Sequence, residues 1–138
     1  MTMQMAPYLH FPDQAREAMT FYRDVFGGEL TLQTFAEMAM SGHPSNDDRI
    51  MHGLLSTPHG LVLMGADAPD GMAYEPGSAI SIALSGDDEP GLRAAFERLA
   101  DGGTIIEPLT QAPWGDHFGA CVDRFGTSWM VNIFAEPA

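Results

Sequence analysis

Lysine is absent from this 138-residue chain: its six basic residues are all arginine, set against 19 acidic ones, for a formal net charge of −13. A field of that sign repels phosphate backbones and anionic headgroups, so nucleic acid and membrane surfaces are excluded as expected partners. Cysteine is almost absent too. Cys121 stands alone, so no intramolecular disulfide can form, in keeping with a cytoplasmic protein. In a mid-strand position with no evident activating cation, it reads as a small buried hydrophobe rather than a nucleophile. No apolar run approaches the ~20 residues that span a bilayer. Met1 to Tyr8 has neither a basic n-region nor a long apolar h-region, so no signal peptide is expected. The chain also lacks a Gly-x-Ser-x-Gly elbow, a Gly-x-x-x-x-Gly-Lys-Ser/Thr phosphate loop and any histidine pair at i, i+4.

What is present is enough apolar sequence, 45% of residues, for a packed core without staples. The length predicts a single domain over residues 1–138. Met5 to Phe11 is apolar and aromatic and ends at Pro12, which suits a strand. A helix should follow, with Asp13 as N-cap and a buried stripe of Ala15, Ala18, Met19, Tyr22, Val25 and Phe26. Gly27-Gly28 stops it. Further strands are expected at Leu30–Phe35, Arg49–Thr57 and Leu61–Met64, with a loop over Met38–Asp48. Residues 67–77, holding two prolines and two glycines, read as a linker between a first module at 5–66 and a second at 78–134.

The second module repeats the order. Ser78, Ile80, Ile82 and Leu84 alternate with smaller residues as a strand, and Asp87-Asp88-Glu89-Pro90 opens a helix with acids at the positive end of its dipole. Leu92, Ala95, Phe96 and Leu99 form its stripe, and Gly102-Gly103 ends it. Strands follow at Thr104–Ile106 (closed by Glu107-Pro108), Asp116–Val122 and Thr127–Phe134. Phe21, Arg23, Gly27 and Gly28 coincide with Phe96, Arg98, Gly102 and Gly103 at an offset of 75, and Gly60 and Met64 coincide with Gly126 and Met130 at an offset of 66. The expected fold class is therefore α+β, two tandem β-α-β-β-β modules.

Pro7-Tyr8-Leu9-His10-Phe11, Ala15, Glu17-Ala18, Phe21-Tyr22 and Val25-Phe26-Gly27-Gly28-Glu29 resemble the opening of PhnB-like proteins. Trp114-Gly115-Asp116, Phe118-Gly119, Asp123, Phe125-Gly126 and Trp129-Met130-Val131-Asn132 resemble their closing segment. These proteins belong to the vicinal oxygen chelate superfamily, the glyoxalase, bleomycin-resistance and extradiol-dioxygenase group. The resemblance implies curved mixed sheets enclosing a cleft, and usually a homodimer. It also implies a divalent metal held by His, Gln or Glu, one ligand on the first strand of a module and one on its last, acting as a Lewis acid on neighbouring substrate oxygens. By spacing, those positions fall on Pro7, about fourteen residues before Phe21-Tyr22, on Ile82, and on Met64 and Met130, each four after a turn glycine. None offers a hard N or O ligand, and thioether sulfur suits Mn, Ni, Zn or Mg poorly. No cofactor is expected. PhnB-like proteins are sometimes labelled ubiquinone methyltransferases, but no Gly-rich strand-to-helix loop that would seat S-adenosylmethionine is found.

A divalent metal has one other route, through His10, His52 and His117, with Glu37 or Asp116 as carboxylate partners. His52 lies on the third strand of its half, and His117 falls almost at the matching place in the other half. Against that stands ordinary half-buried strand histidine, while His43 and His59 lie in solvated turns. Trp114, in a Pro-Trp-Gly loop, reads as a cleft or lid residue, Trp129 as core, and Asn132 as a hydrogen-bond anchor. The expected ligand-binding residues are thus His10, His52, Trp114, Asp116, His117 and Asn132. The leading expectation is a small-molecule-binding protein without the superfamily's metal. The alternatives are a metal-dependent lyase, isomerase or dioxygenase with relocated histidine ligands, or a non-catalytic structural or regulatory dimer.

Overall fold

The computed structural model describes residues 1–135. The chain forms two compact units, the second starting at Gly77. The first contains β1 (Tyr8–Phe11), α1 (Ala15–Phe26), β2 (Glu29–Thr34), β3 (Ile50–Ser56) and β4 (Val62–Asp67). Its strands form one sheet in the order β1-β4-β3-β2, with β1 parallel to β4 and the other neighbours antiparallel. The second contains β5 (Ile82–Gly86), α2 (Glu89–Ala100), β6 (Thr104–Gln111), β7 (His117–Val122) and β8 (Ser128–Ile133). Its sheet runs β5-β8-β7-β6, again with the first strand parallel to the last. The expected α+β class and the repeated β-α-β-β-β order are what the chain adopts.

In the first unit α1 buries Ala15, Ala18, Met19 and Tyr22 against one face of the sheet. The row of partners across that face is Leu9, Gly65, Gly53 and Leu32. The two glycines let the helix lie close, because a Cβ at Gly65 would come within 2.9 Å of Met19 Sδ. The Gly-Gly pairs that end both helices divide their labour. Gly27 (φ 75°) and Gly102 (φ 78°) take the left-handed turn that L-side chains avoid. Gly28, itself at φ 102°, and Gly103 lie just ahead of the next strand in backbone contact: a Cβ there would lie 2.2 Å from Ser56 O and 2.1 Å from Val122 O, respectively.

Asp13 is not the cap of α1. The helix starts at Ala15, and Gln14 before it makes no capping bond. Asp67, 5% exposed at the end of β4, supplies the acceptor instead: Oδ1 takes the Ala15 N–H at 2.8 Å and Oδ2 the Ile50 N–H at 2.9 Å. A carboxylate from a distant strand therefore satisfies the orphan donor and complements the dipole. β4 accordingly runs on to Asp67, past the Ala66 boundary set by composition. The α2 cap is the expected local one, with Asp88 Oδ1 accepting from Gly91 N–H at 3.2 Å.

The second unit packs Leu84, Ala95, Phe96, Leu99, Cys121, Trp129, Val131 and Ile133 into its core. Burial, with a smaller contribution from the charge of Asp123, pushes the Cys121 thiol up to about 11, so it stays an unreactive core group. Trp129 is core as expected, its indole N–H donating to Asp123 Oδ2 at 2.8 Å. The largest departures from the expected strand boundaries are in β5 and β6. Ile80 lies ahead of β5 and is 83% exposed. β6 does not stop at Glu107-Pro108 but continues to Gln111, with register breaks on either side of Glu107. Proline is tolerated there because β6 is an edge strand. Among the described residues, no helix is long and apolar enough to cross a membrane.

Candidate functional site

Alternation along the strands leaves each sheet one face turned away from its helix. In the first unit that open face carries two rows. One runs Tyr8, Met64, Leu54, Thr31 across the four strands. The next begins with His10 opposite Ala66 and ends with His52 opposite Gln33. Tyr8 lies between the two imidazoles: its ring centroid is 5.2 Å from His10 and 5.9 Å from His52, at interplanar angles of 36° and 34°. Tyr8 Oη and His52 Nδ1 are 3.4 Å apart, a long hydrogen bond whose direction follows the imidazole tautomer. The phenol bridges from β1 to β3 across β4, about 10 Å of sheet. It can do so because the residue between is Ala66, with only a methyl group to pass over.

The second unit's open face has the same two rows with other side chains. The first is Ala83, Met130, Ala120, Glu107, and the second is Ser85, Asn132, Phe118, Thr110. Asn132 is not a free anchor: its Nδ2 donates to Asp116 Oδ2 at 3.0 Å, and Asp116 Oδ1 accepts the Ala135 N–H at 2.7 Å. The Asn132 bond foremost, then the Ala135 bond, holds the Asp116 carboxyl below its usual range, with a smaller contribution from His117. Asp116 therefore pins the chain after β8.

His117 does not correspond to His52. At the offset of 66 the counterpart of His52 is Phe118. His117 has the parity of buried Gly119 and Cys121, which places it on the helix-side face of its sheet. A shift of one residue along a strand reverses the face. Trp114 is 68% exposed in the 112–116 loop, which is closed by Ala112 N–H to Asp116 O at 2.7 Å. Glu37 is occupied locally, Oε1 accepting from Thr34 N–H at 3.2 Å. Of the expected residues, then, the structure joins His10 to His52 through Tyr8, and Asp116 to Asn132. Among the described residues, no three or more His, Cys, Asp or Glu side chains gather closely enough to hold a metal ion. Sequence reasoning singled out Met64 by spacing but missed Tyr8 and Gln33 as members of the same face; only alternation counted from a known register would have found them.

Residues 5–131 match the model of the Glyoxalase/Bleomycin resistance protein/Dioxygenase superfamily. The chain belongs to that superfamily. Among solved structures, the superfamily member resembles PA1353 from Pseudomonas aeruginosa with a TM-score of 0.82 and 34% identity, over 98% of this chain and 100% of that one. The Bacillus cereus PhnB protein, described as a putative 3-demethylubiquinone-9 3-methyltransferase, shares the fold at a TM-score of 0.77 and 24% identity, over 96% and 100% of the two chains. YjdN of Escherichia coli K12 is 29% identical, covering 97% of both chains.

Membership poses the metal question residue by residue. The register refines the first-strand positions. Tyr8, rather than Pro7, stands beside Met64, and Ala83, rather than Ile82, stands beside Met130. Pro7 lies just before β1, its carbonyl accepting from Met64 N–H at 3.0 Å, and Ile82 pairs with buried Trp129. The donor set in this superfamily member is thus a phenol and a thioether in one unit, a methyl and a thioether in the other. It does not fit a divalent ion that takes imidazole and carboxylate.

Proposed function

We propose that this superfamily protein binds a small organic molecule on the open face of its first sheet, without the divalent metal of its enzymatic relatives. The observation that carries the proposal is the Tyr8–Met64 pair, which puts an aromatic ring and a thioether where a metal would need hard ligands. Leu54, Ala66 and Met64 supply an apolar floor, and Tyr8, His10, His52 and Gln33 supply a few polar groups at its side. Binding sites for small molecules share that composition. Assembly as a homodimer belongs to the same proposal, and sedimentation tests it.

The test is thermal unfolding of EDTA-treated protein against Zn, Ni, Mn and Fe(II) and against a panel of small organic molecules. Metal content of the untreated protein is measured alongside. A ligand at a hundred times its dissociation constant raises the melting temperature by roughly 8 °C. Leu54→Arg fills the middle of the face and should abolish the shift given by a bound organic molecule. A metal-specific shift lost in His10→Ala and His52→Ala would replace the proposal with its rival, a metal-dependent lyase, isomerase or dioxygenase. The observation favouring that rival is the placing of His10 and His52 on one face around a single phenol.

A further inference from the structure

We infer that the molecule taken up on this face is planar, aromatic and without negative charge, and that it stacks on Tyr8; this rests on the small-molecule binding proposed above. Three π-systems meet at one place, the Tyr8 ring lying 5.2 Å and 5.9 Å from the two imidazoles, and their tilts of 36° and 34° keep them from closing on one another. Tyr8 is 42% exposed at the head of a row that continues through Met64 and Leu54, so the residue remains accessible. Flat π-surfaces pair in offset or tilted contact at these same separations. The thioether of Met64, next to Tyr8 in the row, adds a second surface that favours aromatic rings.

Charge narrows the class further. None of the strands β1 to β4 contains a lysine or arginine. Arg16 and Arg23 belong to α1, which packs on the sheet's other face. Arg49, just before β3, donates to the carbonyls of Pro12 and Ala68 and lies 3.8 Å from Asp70 Oδ1. A carboxylate, sulfonate or phosphate would thus meet no fixed cation here, inside a protein of net charge −13. A neutral or cationic ring system meets no such penalty. A cation also gains from the faces of the aromatic side chain. The Tyr8 hydroxyl and the imidazole nitrogens offer hydrogen bonds to a ring heteroatom at the edge of the stack.

The probes are acridine, proflavine and acridine carboxylate, which share one ring frame and differ in charge, with cyclohexylamine as a non-aromatic cation. They are titrated by fluorescence and calorimetry at mildly alkaline pH and raised salt, which suppresses loose attraction to the acidic surface. Acridine and proflavine should bind, and the carboxylate and cyclohexylamine should not. Tyr8→Leu, which keeps bulk and removes the ring, should weaken acridine binding by about tenfold. Tyr8→Phe should stay within about threefold of the parent, since it loses only a long hydrogen bond. Circular dichroism confirms folding, and Thr31→Trp, at the exposed end of the same row, replaces Leu54→Arg if that variant unfolds. Equal binding by the parent and Tyr8→Leu, or a preference for the carboxylate, overturns the inference. If non-aromatic members of the wider panel bind in a Leu54→Arg-sensitive way and the acridines do not, the ligand class is wrong while the binding function stands. If nothing binds in that way, both fall.

Discussion

The two units share one scaffold and differ in what they place upon it. Aligned row by row, Tyr8 answers to Ala83, His10 to Ser85, Ala66 to Asn132, and His52 to Phe118, while Met64 and Met130 coincide. One open face therefore carries a cluster of aromatic and imidazole rings, and the other carries Ala83 and Ser85 where that cluster has Tyr8 and His10, a lone Phe118 and an amide tied to Asp116. Backbone contacts follow the opposite rule. The Gly-Gly stop, the close approach of Gly28 and Gly103 and the parallel first-to-last strand pairing recur in both units. What must be repeated is the chain geometry; the outward-facing side chains are free to diverge.

The tight turn between the last two strands of each unit sharpens this comparison. Thr57 and Asp123 hold equivalent places, 66 apart. Thr57 Oγ1 accepts the Leu61 N–H at 3.0 Å, whereas Asp123, 3% exposed, accepts from Phe125, Thr127 and the Trp129 indole. Asp123→Ala removes one buried carboxylate that accepts three hydrogen bonds and should destabilise by about 4 kcal/mol, against about 1 kcal/mol for Thr57→Ala. Chemical denaturation reads both, and equal losses would break the distinction drawn between the turns.

The next largest effect tests what the units share. Gly28→Ala and Gly103→Ala each press a methyl against backbone that no rotamer change can move, and each should cost about 3 kcal/mol, with roughly 1 kcal/mol more at Gly28 for its φ of 102°. Similar losses at the two sites would show that the repeat is energetic as well as geometric. A loss at one site alone would show that it is not.

The smallest effect belongs to Asp116. Its folded carboxyl titrates below the usual range, so its contribution is present above the ordinary carboxylate pKa, near 3.9, and disappears as pH falls through the lower folded value. The melting-temperature gap between the parent and Asp116→Asn should therefore be open at neutral pH and close in acid. A gap independent of pH would mean that the Asn132 and Ala135 bonds do not depend on the charge.

Much of the fold is legible in the chain because its determinants are local. The α2 cap at Asp88, the helix stops at Gly27 and Gly102, and the apolar stripes of both helices are each set by a few neighbouring residues. The misjudged boundaries have non-local causes. α1 starts at Ala15 because Asp67, 52 residues away, caps it, and β6 tolerates Pro108 because it lies at a sheet edge. The candidate site was half legible: His10 and His52 stood out as residue types, but Tyr8 looked like one more aromatic of a core strand.

The sequence by itself determined the number and order of elements and the repeat, since each is written in periodicity and turn chemistry along the chain, and it carried the superfamily through its resemblance to known relatives. Only the tertiary structure decided which side chains share a face. Strand register fixes that choice, and a difference of one residue exchanges Pro7 for Tyr8, Ile82 for Ala83, and His117 for Phe118 on the open surface. Register comes from pairing between strands distant in sequence and from the packing of a helix over Gly53 and Gly65, and neither is contained in any local stretch of residues.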